Sequence, residues 1–258
     1  MQPALRHPVG LAVAGLLALS GCGKRGALVY PDLLVPEAPQ AVQLEQRGNS
    51  LQLSFNLPSR DLRGRGLQSP FILEVQRREL NPDDAGECGS CPKDYQAPLR
   101  IDPEFPAPAR KFGKQLVLLD SDVQQGKRYQ YRLAAVGVDG EAGAAVETIR
   151  AMVCSAPPPP AVNATIQHGG VVLLEMQGQV PDNAELVGYA IYRAAGDEEL
   201  PFQPLATTLG TTLYQDQTVQ PGTSYRYAVR MLVRRWDELL LSSEPSAVVV
   251  TSLDEALK

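Results

Sequence analysis

The sequence predicts an all-β protein made of two tandem β-sandwiches. Short runs rich in β-branched and aromatic residues recur along the chain, and many alternate apolar with polar positions, which is typical of half-buried strands. Proline and glycine separate these runs, and no amphipathic helical pattern of about ten residues or more occurs beyond residue 21. An internal repeat indicates that one domain is present twice.

Eight runs are predicted as strands, four in each half of the chain. They span residues 51–55, 72–78, 116–119, 129–138, 171–176, 189–193, 225–233 and 247–250. Since sandwich strands pair in antiparallel sheets with one face on the core, their alternation predicts two layers in each unit.

The repeat is a spaced motif that occurs twice, displaced by 96 residues. The positions are Asp120, Val123, Gly126, Tyr129 and Tyr131, matched by Asp216, Val219, Gly222, Tyr225 and Tyr227. The glycine turns the chain between two strands, and the first tyrosine then lies where its hydroxyl bonds upstream backbone, as in a tyrosine corner. A strand that ends in Arg77 or Arg193 precedes each copy.

Further motifs surround this repeat. Pro39-Gln-Ala-Val42 and Pro160-Ala-Val162 open the two units, Tyr189-Ala-Ile-Tyr-Arg193 and Pro221-Gly-Thr-Ser-Tyr-Arg-Tyr227 follow, and Ser243-Glu-Pro-Ser246 leads into the last strand. Together they resemble tandem fibronectin type III domains over residues 38–153 and 160–252. The resemblance implies immunoglobulin-like sandwiches in which Phe55 and an aliphatic residue near Leu174 replace the family's strand-B tryptophan.

The N-terminus has the form of a secretory signal. Arg6 precedes an apolar run at residues 11–19, which is too short to span a bilayer. The run closes on Leu19-Ser-Gly-Cys22, which resembles the lipobox of bacterial lipoproteins. This resemblance implies that Cys22 begins the mature chain with a thioether-linked diacylglycerol and an acylated, for example palmitoylated, amino group. An ordinary signal peptide cleaved nearby and an uncleaved anchor are the alternatives.

The resulting organisation has six parts. They are a lipoprotein signal peptide at residues 1–21, a lipidated extended tether at 22–37, a first sandwich at 38–153, a proline-rich linker at 154–160, a second sandwich at 161–252 and a tail at 253–258. Residues 156–160 favour a stiff polyproline II spacer, so we expect a restrained end-to-end arrangement of the sandwiches.

The residue after Cys22 bears on localisation. Gly23 stands where aspartate favours inner-membrane retention in enterobacterial lipoproteins, so the resemblance implies an outer-membrane anchor in the cell envelope, facing the periplasm or the surface. Lys24 and Arg25 then lie next to lipid headgroups as membrane-proximal residues, or are simply solvated. Residues 21–31 are also similar to the start of the small lipoprotein family that assists the lipopolysaccharide translocon, which implies that Cys22, Lys24 and Arg25 contact that machine.

Charge and motif content argue against several function classes. The net charge of −5 is unlike the basic footprint of nucleic-acid binders. No phosphate loop, dinucleotide fingerprint or calcium loop occurs, and His168 is the sole histidine of the mature chain, in a turn. We therefore predict a protein that is not an enzyme and has no cofactor.

The cysteines leave three readings. Cys88 and Cys91 lie in a Pro-, Asp- and Gly-rich insertion at residues 81–98, where a local disulfide is the first interpretation. A redox pair would need a thioredoxin-like context, and a zinc site would need two more ligands. Cys154 leaves the count odd, and its state stays open.

Two loops are candidate partner-binding sites. One contains Arg60, Arg63 and Arg65; the other contains Arg234, Arg235 and Trp236. Guanidinium groups suit phosphate or carboxylate, and Trp with Arg is typical of interface hot spots. The alternatives are a solvated loop at Arg60–Arg65 and a hairpin whose Trp236 packs on its own sheet. The hypothesis is an envelope lipoprotein that acts as a scaffold for a protein or glycan; the alternatives are an outer-membrane assembly factor acting through its N-terminus and a redox or metal protein. The sequence leaves the oligomeric state open.

Overall fold

The computed structural model describes residues 35–67, 70–80, 94–137, 139–150 and 153–252. These residues form antiparallel strands and contain no helix, which confirms the all-β prediction. The first half contains β1 (Gln40–Arg47), β2 (Ser50–Asn56), β3 (Phe71–Leu80), β4 (Leu99–Ile101), β5 (Arg110–Phe112), β6 (Gln115–Asp120), β7 (Arg128–Gly137) and β8 (Val146–Arg150). The second half contains β9 (Ala161–Gln167), β10 (Val171–Gln177), β11 (Ala184–Ala195), β12 (Ala206–Leu209), β13 (Leu213–Asp216), β14 (Ser224–Arg235), β15 (Leu240–Ser242) and β16 (Val249–Ser252).

Each half is a sandwich of two sheets. In the first, the sheet orders are β1-β2-β6-β5 and β4-β3-β7-β8; in the second, they are β13-β10-β9 and β12-β11-β14, with β15 and β16 both on the far edge of β14. The two halves therefore share one connectivity, and β5 is an additional edge strand of the first. This strand order agrees with the resemblance of the sequence to fibronectin type III domains, and the fold is two tandem immunoglobulin-like β-sandwiches.

The cores confirm the alternation seen in the sequence. All eight predicted strands are present, with bounds shifted by a few residues. Phe55 and Leu174 are fully buried in the first and second cores, at the positions expected to replace tryptophan. The chain crosses from one core to the other without a gap, because Val153 packs in the first and Cys154 in the second.

The repeated motif builds a tyrosine corner in each sandwich. The Tyr129 hydroxyl accepts a hydrogen bond from the Gln124 amide at 3.0 Å, and the Tyr225 hydroxyl accepts one from the Gln220 amide at 3.1 Å. Each bond ties a core strand to the turn before it, as the sequence predicts.

The remaining motif residues form a polar cluster beside each corner. Tyr227 donates to Asp216 at 2.9 Å, and Arg193 donates to the same carboxylate at 2.6 Å and lies 5.0 Å from the Tyr225 ring centroid. In the first sandwich, Tyr131 donates to Asp120 at 2.6 Å, and Arg77 takes the place of Arg193. The aspartate and the second tyrosine of each repeat thus form a hydrogen-bonded network with the arginine that ends the preceding strand. This network explains why the three residue types occur together in both copies.

The two polar clusters shift the pKa values of their tyrosines and of Asp216. Burial raises the pKa of Tyr131 and of Tyr227, and the neighbouring aspartates raise both further. Burial alone would raise the pKa of Asp216, but hydrogen bonds from Thr218, Tyr227 and Arg193 lower it overall. The aspartate is therefore held ionised and the tyrosines are held protonated.

The arrangement of the sandwiches differs from the end-to-end expectation. Strand β1 of the first sandwich contacts β15 of the second. Outward residues of β2 and β6 line one cavity together with outward residues of β11 and β14, so these faces of the two sheets lie on opposite sides of a shared cleft. Small and apolar side chains on these outer faces, such as Val117 and Ala228, let the sheets approach side by side.

Candidate functional site: the cleft between the sandwiches

The interface buries outward-facing residues that belong to neither core. Gln52 and Val117 of the first sandwich are buried although they lie outside its core cluster, and so are Tyr192 and Ala228 of the second. All four line one shared cavity, so each face is covered by the other sandwich. Burial of these side chains stabilises the docked arrangement of the two sandwiches.

A turn of the first sandwich is hydrogen-bonded to the end of β15. The Gly48 amide donates to the Ser242 carbonyl at 3.1 Å, and the Asn49 amide donates to the Glu244 carboxylate at 2.8 Å. Gly48 has a φ of 60°, a left-handed conformation that suits glycine.

The linker is fixed to the same part of the first sandwich. The Gln46 side chain accepts from the Cys154 amide at 2.9 Å and donates to the Cys154 carbonyl at 2.6 Å. Because Gln46 and Cys154 are both buried, this amide satisfies backbone groups that have no access to water.

Arg47 lies at the centre of the interface. It donates to the Tyr192 hydroxyl at 3.0 Å, and its guanidinium lies 4.9 Å from the centroid of Phe202. Phe202 also contacts Phe112 of β5, with ring centroids 5.6 Å apart. Cation–π and aromatic contacts therefore connect the edge of the first sandwich to the loop between β11 and β12.

Two further arginines complete a cationic cluster. Arg110 of β5 pairs with Glu199 at 3.2 Å, with both side chains exposed, and Arg230 of β14 donates to the Ser243 carbonyl at 2.8 Å. Burial lowers the pKa of Arg230, and the nearby charge of Arg47 also lowers it, against the effects of Tyr192 and Glu244. The two guanidiniums thus repel each other in a partly desolvated space.

These residues line an open cleft between the sandwiches with a volume of about 410 Å³. Its charged lining consists of Arg47, Arg110 and Arg230, and no carboxylate belongs to the lining formed by the described residues. Val117, Leu119 and Phe202 form its apolar part. The cleft therefore combines positive charge with an apolar wall, and both sandwiches contribute to it.

The basic loop lies elsewhere, at the point where the chain enters the first sandwich. The buried Asp61 carboxylate accepts from the Arg63 and Arg65 amides, each at 2.9 Å, and the Leu62 amide donates to the Val35 carbonyl at 3.1 Å. Arg60 and Arg65 are exposed, whereas Arg63 is half-buried. The loop is thus an ordered turn around Asp61.

The second predicted loop is the turn between β14 and β15. Arg234 pairs with Glu185 at 3.6 Å and Glu238 at 3.8 Å, and Arg235 pairs with Asp237 at 3.1 Å. The Trp236 side chain is exposed, with 66% of its surface accessible, so it does not pack on its own sheet. The arginines are matched by local acids, and Trp236 is the part of the turn that is open to a partner.

The other sequence candidates divide into two groups. Cys22, Lys24, Arg25, Cys88 and Cys91 lie outside the described residues, as does residue 138 at the end of one predicted strand. His168 lies exposed in the turn between β9 and β10, as predicted. The described part of the chain contains no group of three or more histidine, cysteine or acidic side chains arranged for a metal ion.

Sequence reasoning missed the cleft residues Arg47, Arg110, Tyr192, Phe202 and Arg230. A signal for the covered face existed. The outward positions of β11 and β14 carry Ala190, Ala194 and Ala228, where a solvated face would carry polar residues. Which sheet covers these alanines depends on how the domains dock, and that is not readable from alternation.

Comparisons with known proteins give a limited result. No family model matches the chain, and no curated protein matches it. Among solved structures, the crystal structure of the FN1–FN3 domains of chicken CNTN1 is similar at 16% sequence identity, covering 86% of this chain and 69% of that one, with a TM-score of 0.38. Within the described residues, no helix is long and apolar enough to cross a membrane.

Proposed function

We propose that this protein is a non-enzymatic lipoprotein of the bacterial cell envelope whose two fibronectin type III sandwiches act together as a binding scaffold for another envelope protein. The observation that carries the proposal is the cleft formed jointly by Arg47, Arg110 and Tyr192 with their neighbours from the other sandwich. Recognition sites commonly lie at domain interfaces, where concave surface combines apolar walls with a few polar groups.

The anchor is the second part of the proposal. The lipobox resemblance at Leu19-Ser-Gly-Cys22 supports acylation of Cys22 and attachment to the outer membrane. Three acyl chains exceed the two signals that stable anchoring requires. Residues 23–34 then span at most about 43 Å when fully extended, and the Arg60–Arg65 loop beside Val35 lies at the membrane-proximal end.

Trp236 is a further contact point in this proposal. Its exposed ring lies at the tip of the β14–β15 turn, in a loop position at which immunoglobulin-like sandwiches recognise partners. The paired acids around Arg234 and Arg235 hold the turn in shape.

Metabolic labelling with palmitate tests the anchor. The full-length protein is expected to incorporate label and to fractionate with outer membranes, and Cys22→Ser is expected to lose both properties. Cys154→Ser is the matched control, since that cysteine is buried at the domain junction and should leave labelling unchanged. Label that persists in Cys22→Ser would refute lipidation at this residue.

Site-specific photocrosslinking in living cells tests the scaffold. A photoreactive residue at Leu119, on the rim of the cleft, should yield one discrete adduct with an envelope protein. The same residue at Val250, exposed on β16, is the control and should yield none. Equal adducts at both positions, or none at Leu119, would argue against a partner at the cleft.

A further inference from the structure

The cleft carries positive charge that its own lining does not neutralise. Arg47 donates to the Tyr192 hydroxyl, with the Glu45 carboxylate 3.8 Å away. Arg230 donates to a backbone carbonyl and feels the charge of Glu244, whose carboxylate accepts the Asn49 amide. Arg110 is matched only by an exposed glutamate at the rim, Glu199. A desolvated guanidinium gains most from a charged, bidentate acceptor, so the cleft is complementary to an anion that bears carboxylates.

The apolar wall restricts the kind of anion. Val117 is buried beneath the cleft, whereas Leu119 has 54% of its surface exposed beside it. Phe202 lies under the Arg47 guanidinium and next to Phe112. An inorganic ion would satisfy the arginines and leave this wall in water, so the fitting ligand bears apolar groups next to its carboxylates.

A sheet edge lies on the same side of the cleft. β5 pairs with β6 on one side only and is the last strand of its sheet, and all three of its residues are exposed. Arg110 of this strand is part of the cleft lining. An exposed edge strand offers backbone donors and acceptors that an extended peptide can pair with, by strand addition.

We infer that the cleft binds an extended acidic segment of a protein partner, which pairs with the edge of β5 and places its carboxylates against Arg47, Arg110 and Arg230. This inference rests on the proposed scaffold function and names the chemistry of its partner. Successive side chains of an extended segment point to opposite faces. Acidic residues at every second position therefore all face the arginines of the cleft.

Fluorescence anisotropy with defined peptides tests the inference. The probe is a labelled seven-residue peptide of alternating valine and aspartate, and its matched control replaces each aspartate with asparagine. The mature chain carrying Cys22→Ser should bind the aspartate peptide at least about tenfold more tightly than the asparagine peptide, because a charge-assisted hydrogen bond is worth roughly that factor. Affinity should fall as salt rises.

Arg110→Gln should weaken binding of the aspartate peptide by about tenfold. Arg100→Gln is its matched control, since Arg100 is an exposed arginine that pairs with Glu74 at 2.9 Å on the other sheet of the same sandwich, and it should bind like the wild type. Because Arg110 is itself exposed and its partner is too, the variant should keep the melting temperature of the parent.

Four outcomes would overturn the inference. They are equal affinity for both peptides, no binding up to about 1 mM, unchanged binding in Arg110→Gln, and complete displacement by inorganic phosphate at the concentration of the aspartate peptide. Association with phosphatidylglycerol vesicles that is lost in Arg110→Gln, without peptide binding, would assign the cleft to lipid instead. Crosslinking at Leu119 in cells is independent of the peptide, so it separates failure of this inference from failure of the scaffold proposal.

Discussion

The Glu244 carboxylate lies over the α-carbon of Gly48, in the space that a side chain at position 48 would occupy. It accepts the Asn49 amide there, while the Gly48 amide bonds Ser242. The φ of 60° therefore favours glycine at position 48 of the first sandwich, and any side chain there would displace the Glu244 carboxylate of the second. The glycine is a marker of the interface.

Gly48→Ala should destabilise the protein through both requirements. The left-handed φ costs about 1 kcal/mol in alanine, and displacing Glu244 from the Asn49 amide costs about 1 kcal/mol more. Gly113→Ala is the matched control, because Gly113 has a φ of 61° and open space around its α-carbon. Urea unfolding measures both, and Gly48→Ala should lose its excess cost in a Glu244→Ala background. An equal loss in the free energy of unfolding for Gly48→Ala and Gly113→Ala would show that Glu244 does not contribute to the cost.

Arg47 and Tyr192 should be energetically coupled. Tyr192→Phe removes the hydroxyl that accepts from Arg47, and we expect a loss of about 1 kcal/mol in the free energy of unfolding. A double-mutant cycle with Arg47→Ala should give a coupling of about 0.5 kcal/mol or more. Strict additivity of the two substitutions would mean that the sandwiches do not contact each other through this pair.

The buried aspartate of the second polar cluster should contribute more to stability than the exposed aspartate beside the first cluster. Asp216 is fully buried beside Arg193, so Asp216→Asn leaves a guanidinium without its carboxylate and should cost about 3 kcal/mol. Asp122→Asn, which removes the exposed partner of Arg77, should cost less than about 1 kcal/mol. Chemical denaturation compares them, and similar losses would contradict the assignment of Asp216 as a structural residue.

The same cluster makes the stability of the fold depend on pH in the acidic range. The pKa of Asp216 is lower in the folded chain than its ordinary value of 3.8, so the carboxylate stabilises the fold above that pH. This contribution is lost as the pH falls below 3.8 toward the folded pKa. Thermal unfolding between neutral and acidic pH should show a loss of stability in the parent that is absent in Asp216→Asn.

The buried tyrosines make the stability of the fold decrease at alkaline pH. The pKa values of Tyr131 and Tyr227 are raised above 10.0 by burial and by their aspartates, so the folded state retains protons that the unfolded state loses. The stabilisation that the two protonated tyrosines contribute should be fully present below pH 10 and should be lost as the pH rises above it. Tyr227→Phe should flatten this decline, as measured by circular dichroism; an unchanged decline would assign it to other groups.

The sequence predicts the sandwiches because their information is local. Alternation placed the core strands, and the spacing of Asp120 and Tyr129 with their second copies placed the tyrosine corners. Eight of the described strands were not predicted from the sequence. Five of them have only three or four residues, which carry too little periodicity to distinguish a strand from a loop; they are β4, β5, β12, β13 and β15. The other three, β1, β8 and β9, are longer edge strands, and β1 and β9 are mostly exposed or half-buried, so they show little apolar alternation.

The cleft was not predicted from the sequence for a different reason. Gln52 and Ser54 occupy the outward positions of β2 and look like solvated residues in the sequence, yet both are buried, and Gln52 lines the cleft shared with the second sandwich. The proline-rich linker predicted a stiff spacer and an end-to-end arrangement, whereas the chain joins both cores directly through Val153 and Cys154. Docking between domains depends on matching surfaces far apart in sequence, and no local pattern encodes that match.

Small-angle X-ray scattering of the mature chain carrying Cys22→Ser tests the central claim that the sandwiches form one body with a shared cleft. The account predicts a distance distribution with a single maximum, unchanged in Leu119→Lys at the rim and broadened in Val117→Lys, which buries a charge in the interface. A parent profile with two maxima, as separate end-to-end domains would give, would contradict it.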